Sequence, residues 1–170
     1  MQTILSNIPA YVYAIFVALL AMGIGQSRPR TVALRRTVVL PLAMTGLSAY
    51  GVIGAFGPAA VPLLAWAGGV AAAVLPMARR LPPAEVIYDA ASRSFALPGS
   101  WAPLALMMAI FMLKFAVGMS LGLQPSLHQS AGFAFAASAA YGLCSGVFLG
   151  RALPLWKLAM GRAAGVPAAA

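Results

Sequence analysis

The chain has 170 residues, of which 62% are hydrophobic and 8% are charged. A soluble domain carries roughly 45–50% apolar and about 25% charged residues, so these charges are too few to cover a water-facing surface. The apolar runs are continuous rather than alternating over about ten residues, which excludes a transmembrane β-barrel and predicts an all-α polytopic membrane bundle.

Three predicted spans occupy the first half of the chain, at residues 8–25, 37–56 and 59–77. The first has no Lys or Arg and is too long for a cleavable signal peptide, which begins with positive charge and has a short apolar core. Pro41 lies in the first turns of the second span, and Gly57-Pro58 makes a tight turn before the third.

Residues 80–99 form the only long polar stretch, and we predict that they make a cytoplasmic loop. Val86 to Tyr88 precede a small polar cluster, and Phe95 and Leu97 follow at a period of two. This pattern predicts a short hairpin on the membrane surface between spans 3 and 4.

The last two predicted spans are residues 100–121 and 130–150. The segment after them contains Leu155 and Trp156 among basic residues, and it is expected to lie along the membrane surface. Residues 163–170 are predicted to be a disordered tail.

The distribution of charge predicts the orientation of these five spans. The formal net charge of +9 would favour nucleic acid as the partner of a soluble protein, but here the charges are divided by loop. Of the 11 Lys and Arg residues, ten follow spans 1, 3 and 5: Arg28, Arg30, Arg35, Arg36, Arg79, Arg80, Arg93, Arg151, Lys157 and Arg162. The positive-inside rule then places the N-terminus outside and the C-terminus in the cytoplasm, with no nucleic-acid partner. Anionic lipid headgroups on the cytoplasmic face are the expected contacts of Arg28, Arg30, Arg35 and Arg36.

Lys114, the eleventh basic residue, lies inside span 4 and is the main candidate for a ligand-binding group. A lysine at the centre of a span costs about 2.5–3.5 kcal/mol on insertion scales, so it needs a reason. No acid occurs in any span. Polar or aromatic residues at similar depth are Tyr13, Ser48, Tyr50, Trp66, Ser138 and Tyr141. One interpretation is a site for an anionic ligand or a neutral, proton-moving lysine; the other is a lysine whose ammonium reaches the outer headgroups.

Small residues recur every four positions in span 5, at Ser138, Gly142, Gly146 and Gly150. Such a face lets two helices approach closely. We expect a contact within the chain, with a homo-oligomer or a membrane-protein partner as the alternative.

The remaining chemistry is sparse. One cysteine, one histidine and two acids do not make a metal site, and no cofactor motif is present. Cys144 lies in an apolar span, where thiols are usually inert. Glu85 and Asp89 are expected to pair with surface arginines. The shortage of acid–base groups favours a protein that is not an enzyme.

Three stretches carry a resemblance to a known kind of protein: GIGQSRPR, FALPGSWAPLALMMAIFMLKF and YGLCSGVFLGRAL. They resemble a family of small bacterial inner-membrane proteins of unknown function, over most of the chain. The resemblance implies a bacterial inner membrane and a compact multi-span bundle, and it supplies no activity or catalytic residue.

Three functions follow as hypotheses. The first is a small transport or ligand-binding bundle around Lys114, although an odd number of spans does not divide into two repeats. The second is an accessory or structural subunit of a membrane complex, held through the small-residue face or residues 80–99. The third, which we favour least, is an enzyme acting on a lipid-linked substrate through Asp89 or Glu85.

Overall fold

The structure is a computed structural model that describes residues 10–80 and 85–163. Its elements in chain order are α1 (Ala10–Gln26), β1 (Arg30–Ala33), α2 (Leu34–Phe56), α3 (Ala60–Ala78), β2 (Ile87–Asp89), β3 (Ser94–Leu97), α4 (Ala102–Leu123), a 3₁₀ helix (Pro125–Gln129) and α5 (Ala131–Ala163). The predicted helical class is confirmed.

Four helices are long and apolar enough to cross a membrane: α2, α3, α4 and the part of α5 from Ala131 to Gly161. The fifth, α1, is apolar but has 17 residues as described. Residues 1–9, which hold the predicted start of the first span, lie outside the described residues. The number of crossings and the orientation therefore stay predictions.

Close packing of α3 against α5 forms the centre of the bundle. Buried residues of α3 recur every three or four positions, at Pro62, Ala65, Gly69 and Ala73, which is the spacing of one helix face. The outer helices are added to this pair. α2 packs on α5, and α4 packs on α1 and on one edge of α5. Between α1 and α4, the rings of Phe16 and Phe111 lie 5.5 Å apart.

The predicted hairpin is present as β2 and β3, but the structure adds a strand to it. β1 pairs antiparallel with β3, giving the order β1-β3-β2, with Arg30 opposite Leu97 and Val32 opposite Phe95. The segment between α1 and α2 was predicted to be a loop, and this was wrong for Arg30–Ala33. Those four residues supply backbone groups that complete the second edge of β3.

The segment after residue 150 was predicted to lie separately on the membrane surface, and this is corrected by the structure. α5 instead continues without a break to Ala163, with Pro154 inside it. Its final turns cover the sheet, because Leu155, Leu158 and Ala159 pack against the cluster of Val86, Tyr88 and Phe95. Phe95 is completely buried there. Residues 164–170, most of the predicted disordered tail, lie outside the described residues.

Candidate ligand site around Lys114

Lys114 lies close to the middle of α4. The helix ends at Leu123 rather than near residue 121, so the residue is nine positions from that end, about 14 Å by helix rise. The predicted end of the span at residue 121 would put it seven positions from the end, about 10 Å by helix rise. Lys114 is therefore farther from the end of its helix than the predicted span implied.

The ammonium of Lys114 is turned towards the neighbouring helices. Its Nζ lies 5.0 Å from the centroid of the Tyr141 ring on α5, which is within cation–π range. On the other side is α2, where a Cβ added at Gly51 would be 3.3 Å from the same nitrogen. The side chain as a whole is exposed on the bundle surface. The ammonium therefore lies at the surface where α2, α4 and α5 come together, and we call this place the crevice.

Two more of the predicted residues lie beside this crevice. The indole Nε1 of Trp66 donates a 3.2 Å hydrogen bond to Oγ of Ser48, which joins α3 to α2. Trp66 packs against the buried cluster that contains Tyr141 and Val52. The hydrogen bond gives the indole N–H of Trp66 an acceptor.

Three predicted residues make no hydrogen bond or ring contact with the ammonium in the described part of the chain. Tyr50 is 71% exposed and Tyr13 is 50% exposed. Tyr13 lies on α1, and the main contact of α1 with another helix is with α4. Ser138 is fully buried, and its Oγ has no hydrogen-bond partner in the described part of the chain. Sequence reasoning missed Gly51, whose lack of a side chain makes room for the ammonium. A glycine three residues after Ser48 was the available signal.

The small-residue face of α5 lies against α3. A Cβ added at Gly142 would meet the carbonyl oxygen of Trp66, and one added at Gly146 would lie 2.6 Å from the carbonyl oxygen of Val70. Gly150 is in similarly close contact with Met77. Helix backbones that approach this closely leave no room for a side chain.

The predicted lipid-contacting arginines gather where α1, the sheet and α2 meet. Arg28, Arg35 and Arg36 are exposed, and Arg30 is partly buried. Arg30 donates from Nη2 to Oε1 of Gln26 at 2.9 Å. Burial, and then the like charge of Arg36, lower the pKa of Arg30 below its usual value. The described part of this cluster therefore concentrates positive charge.

The acid of the hairpin has a structural role in its turn. The Asp89 carboxylate accepts hydrogen bonds from the Ser92 hydroxyl at 2.6 Å and from the Ala91 backbone N–H at 3.0 Å. These bonds hold the pKa of Asp89 below its usual value. The expected pairing of Asp89 with an arginine is thus replaced by bonds within the turn.

The cysteine and the histidine of the chain lie in different elements. Cys144 is a free, partly buried thiol on α5, and Nδ1 of His128 lies 3.0 Å from the carbonyl oxygen of Ala55. Among residues 10–80 and 85–163, no group of three or more His, Cys, Asp or Glu side chains is placed to hold a metal ion.

Comparison with known proteins gives one match. The model of a family of unknown function, DUF6622, matches residues 1–166. No curated protein and no solved structure matches the chain.

Proposed function

The chain belongs to DUF6622, a family of unknown function, and we propose that it is a five-span membrane protein that binds an anionic, lipid-soluble ligand at Lys114. The proposed location is the bacterial inner membrane, with the N-terminus outside. Binding at this depth is also the step that a small transport bundle would need.

The arrangement of the basic segments supports the proposed topology. β1 comes from the segment between α1 and α2, and β3 comes from the segment between α3 and α4. Their pairing brings both arginine-bearing segments to one end of the bundle, and the last turns of α5 pack there as well. A single basic end is what the positive-inside rule expects of a cytoplasmic face.

The position of the Lys114 ammonium carries the functional proposal. In the described parts of α1 to α5 there is no Asp or Glu that could neutralise it. The Tyr141 ring stabilises a cation by about 0.5–2 kcal/mol, which offsets only part of the cost of a lysine at mid-span. An anionic ligand group in the crevice would supply the missing counter-charge. An aromatic face beside the cation would suit the apolar part of such a ligand.

The rival functions have less support. The accessory-subunit hypothesis relied on the small-residue face of α5 or on residues 80–99. α3 already packs against the small-residue face through Gly142 and Gly146. The enzyme hypothesis relied on Asp89 or Glu85, and the carboxylate of Asp89 holds the hairpin turn.

Native mass spectrometry of the detergent-purified protein tests the proposal, with Lys114→Met compared to the parent. Lys157→Met is the matched control, because Lys157 is the other lysine of the chain and its ammonium donates to the carbonyl oxygen of Ala78. We expect a retained anionic species in the parent and in Lys157→Met that is absent from Lys114→Met. Identical spectra from all three proteins would overturn the proposal and leave Lys114 as a group that only helps to dock α4.

A further inference from the structure

Two open grooves meet at the start of α2, each with a volume of about 400 Å³. Ala33, Arg35 and Val39 line both of them. The first groove continues along α2 to Leu40 and Ala43, and the second reaches the hairpin turn at Ser92 and Arg93. Segments that are distant in sequence therefore contribute arginines to one surface.

This surface concentrates positive charge at the start of α2. Arg35 and Arg36 occupy the first turn of α2, which has no acidic residue and no capping side chain. The helix dipole is positive at this end, so cations are disfavoured and anions are favoured. Arg30 lies near enough to Arg36 to feel its charge. An anion bound here would relieve several repulsions at once.

The floor of the first groove is apolar. Val39 is 53% exposed and Leu40 is 38% exposed. From Arg36 to Ala43 the groove follows α2 for about 10 Å by helix rise. A charged end joined to an apolar floor that runs into a predicted membrane span matches the shape of a phospholipid.

We propose that Arg35, Arg36 and Arg93 bind the phosphate of an anionic phospholipid whose acyl chain lies along Val39, Leu40 and Ala43. Planar guanidinium groups suit phosphate because they donate two parallel hydrogen bonds. This site is separate from Lys114: Gly51, which faces the ammonium, is 15 residues along α2 from Arg36, about 22 Å by helix rise. A negative result at one site therefore does not affect the proposal for the other site.

The experiment measures lipid binding by native mass spectrometry of the delipidated full chain, titrated with phosphatidylglycerol and with phosphatidylcholine. The test variant is Arg35→Gln/Arg36→Gln, and the control is Arg79→Gln/Arg80→Gln, which removes equal charge from another exposed pair. We expect phosphatidylglycerol to be preferred, and its affinity to fall roughly 25-fold in the test variant alone, since each of the two basic residues contributes about fivefold. Equal losses in both double variants would mean diffuse attraction and would overturn the proposal.

A second arm separates a lipid site from a free-phosphate site. Ala43→Trp fills the apolar groove without changing any charge, and inorganic phosphate serves as the competing probe. We expect the variant to weaken phosphatidylglycerol binding while its thermal midpoint stays unchanged, and phosphate at millimolar concentration not to compete. Unaltered lipid binding in Ala43→Trp, or full competition by phosphate, would contradict the lipid assignment.

Discussion

The indole Nε1 of Trp156 donates a 3.0 Å hydrogen bond to the carbonyl oxygen of Thr37. This bond joins the last turns of α5 to the first turns of α2, across 119 positions of sequence. It adds to the apolar packing that holds the segment after Arg151 against the bundle.

Trp156→Phe is expected to lower the free energy of unfolding by about 1 kcal/mol or more, because the hydrogen bond is lost and a smaller aromatic ring replaces the indole. Unfolding by SDS titration measures it. Trp101→Phe is the control, since Trp101 is 64% exposed and its replacement should change little. Equal effects of the two substitutions would show that the bond to Thr37 contributes nothing.

Gly142→Ala is expected to destabilise the protein by about 1–3 kcal/mol, the usual cost of overpacking. The added Cβ would meet the Trp66 carbonyl oxygen, so α3 and α5 would have to separate. Gly118→Ala on α4 meets nothing within 4 Å and should be neutral or stabilise the helix by up to about 1 kcal/mol. The same SDS titration compares them. A neutral Gly142→Ala would mean that the two helices are not in close contact.

Gly51→Ala is expected to leave stability unchanged or slightly raised, while it reduces ligand retention at Lys114. Its Cβ would lie 3.3 Å from Nζ, and the flexible end of a lysine moves away at little cost. Gly54→Ala is the control. Gly54 lies about one turn further along α2, and a Cβ added there would meet no atom within 4 Å. Thermal melting and native mass spectrometry of each variant give the two readouts. If Gly51→Ala retains as much ligand as Gly54→Ala, the crevice is not where the ligand binds.

Arg93 has a φ of +48°, the left-handed region that side chains with a Cβ disfavour. Arg93→Gly and Arg93→Ala both remove the charge, so the difference between their stabilities reports the cost of the backbone conformation alone. We expect the glycine variant to be more stable than the alanine variant by about 1–2 kcal/mol, as measured by chemical denaturation. Equal stabilities would mean that the turn adopts another conformation.

The turn should weaken in acid. Since the folded-state pKa of Asp89 is depressed by its bonds to Ser92 and Ala91, its contribution is fully present above the unfolded-state pKa of about 3.9. It is lost as the pH falls below that value and through the lower folded-state pKa. Amide exchange of residues 87–97, compared with Asp89→Asn at each pH, measures this. The ratio of the amide exchange rate of Asp89→Asn to that of the parent should approach one in acid. A ratio that does not change with pH would contradict the role of the Asp89 carboxylate in the turn.

The hairpin and most of the helical segments could be predicted, because hydrophobic runs and a period of two are local properties. β1 could not, since Arg30–Ala33 has no pattern that distinguishes it from a loop, and it becomes a strand only by pairing with β3. Similarly, Gly150, Arg151 and Pro154 resemble the end of a helix. α5 continues past them because Ala152 and Ala159 are buried on the bundle and the sheet.

The candidate site was predictable in part. Lys114 is conspicuous because it is a lone charge in an apolar run. Ser48, Trp66 and Tyr141 share its approximate depth, but depth alone does not say which side of a helix a residue occupies. For this reason Tyr50 was included and Gly51 was missed, although they are neighbours in sequence and face about 100° apart around the helix axis.

The pairing of β1 with β3 also sets an order of events during synthesis. Residues 30–33 emerge from the ribosome well before residues 94–97, their partners. At about 5–20 residues per second, the delay is on the order of 3–12 s. Throughout that interval, α1 is joined to the growing chain by an unpaired arginine-rich connection, and the end of α5 that will cover the sheet has not been made. The basic end of the bundle must therefore be completed last.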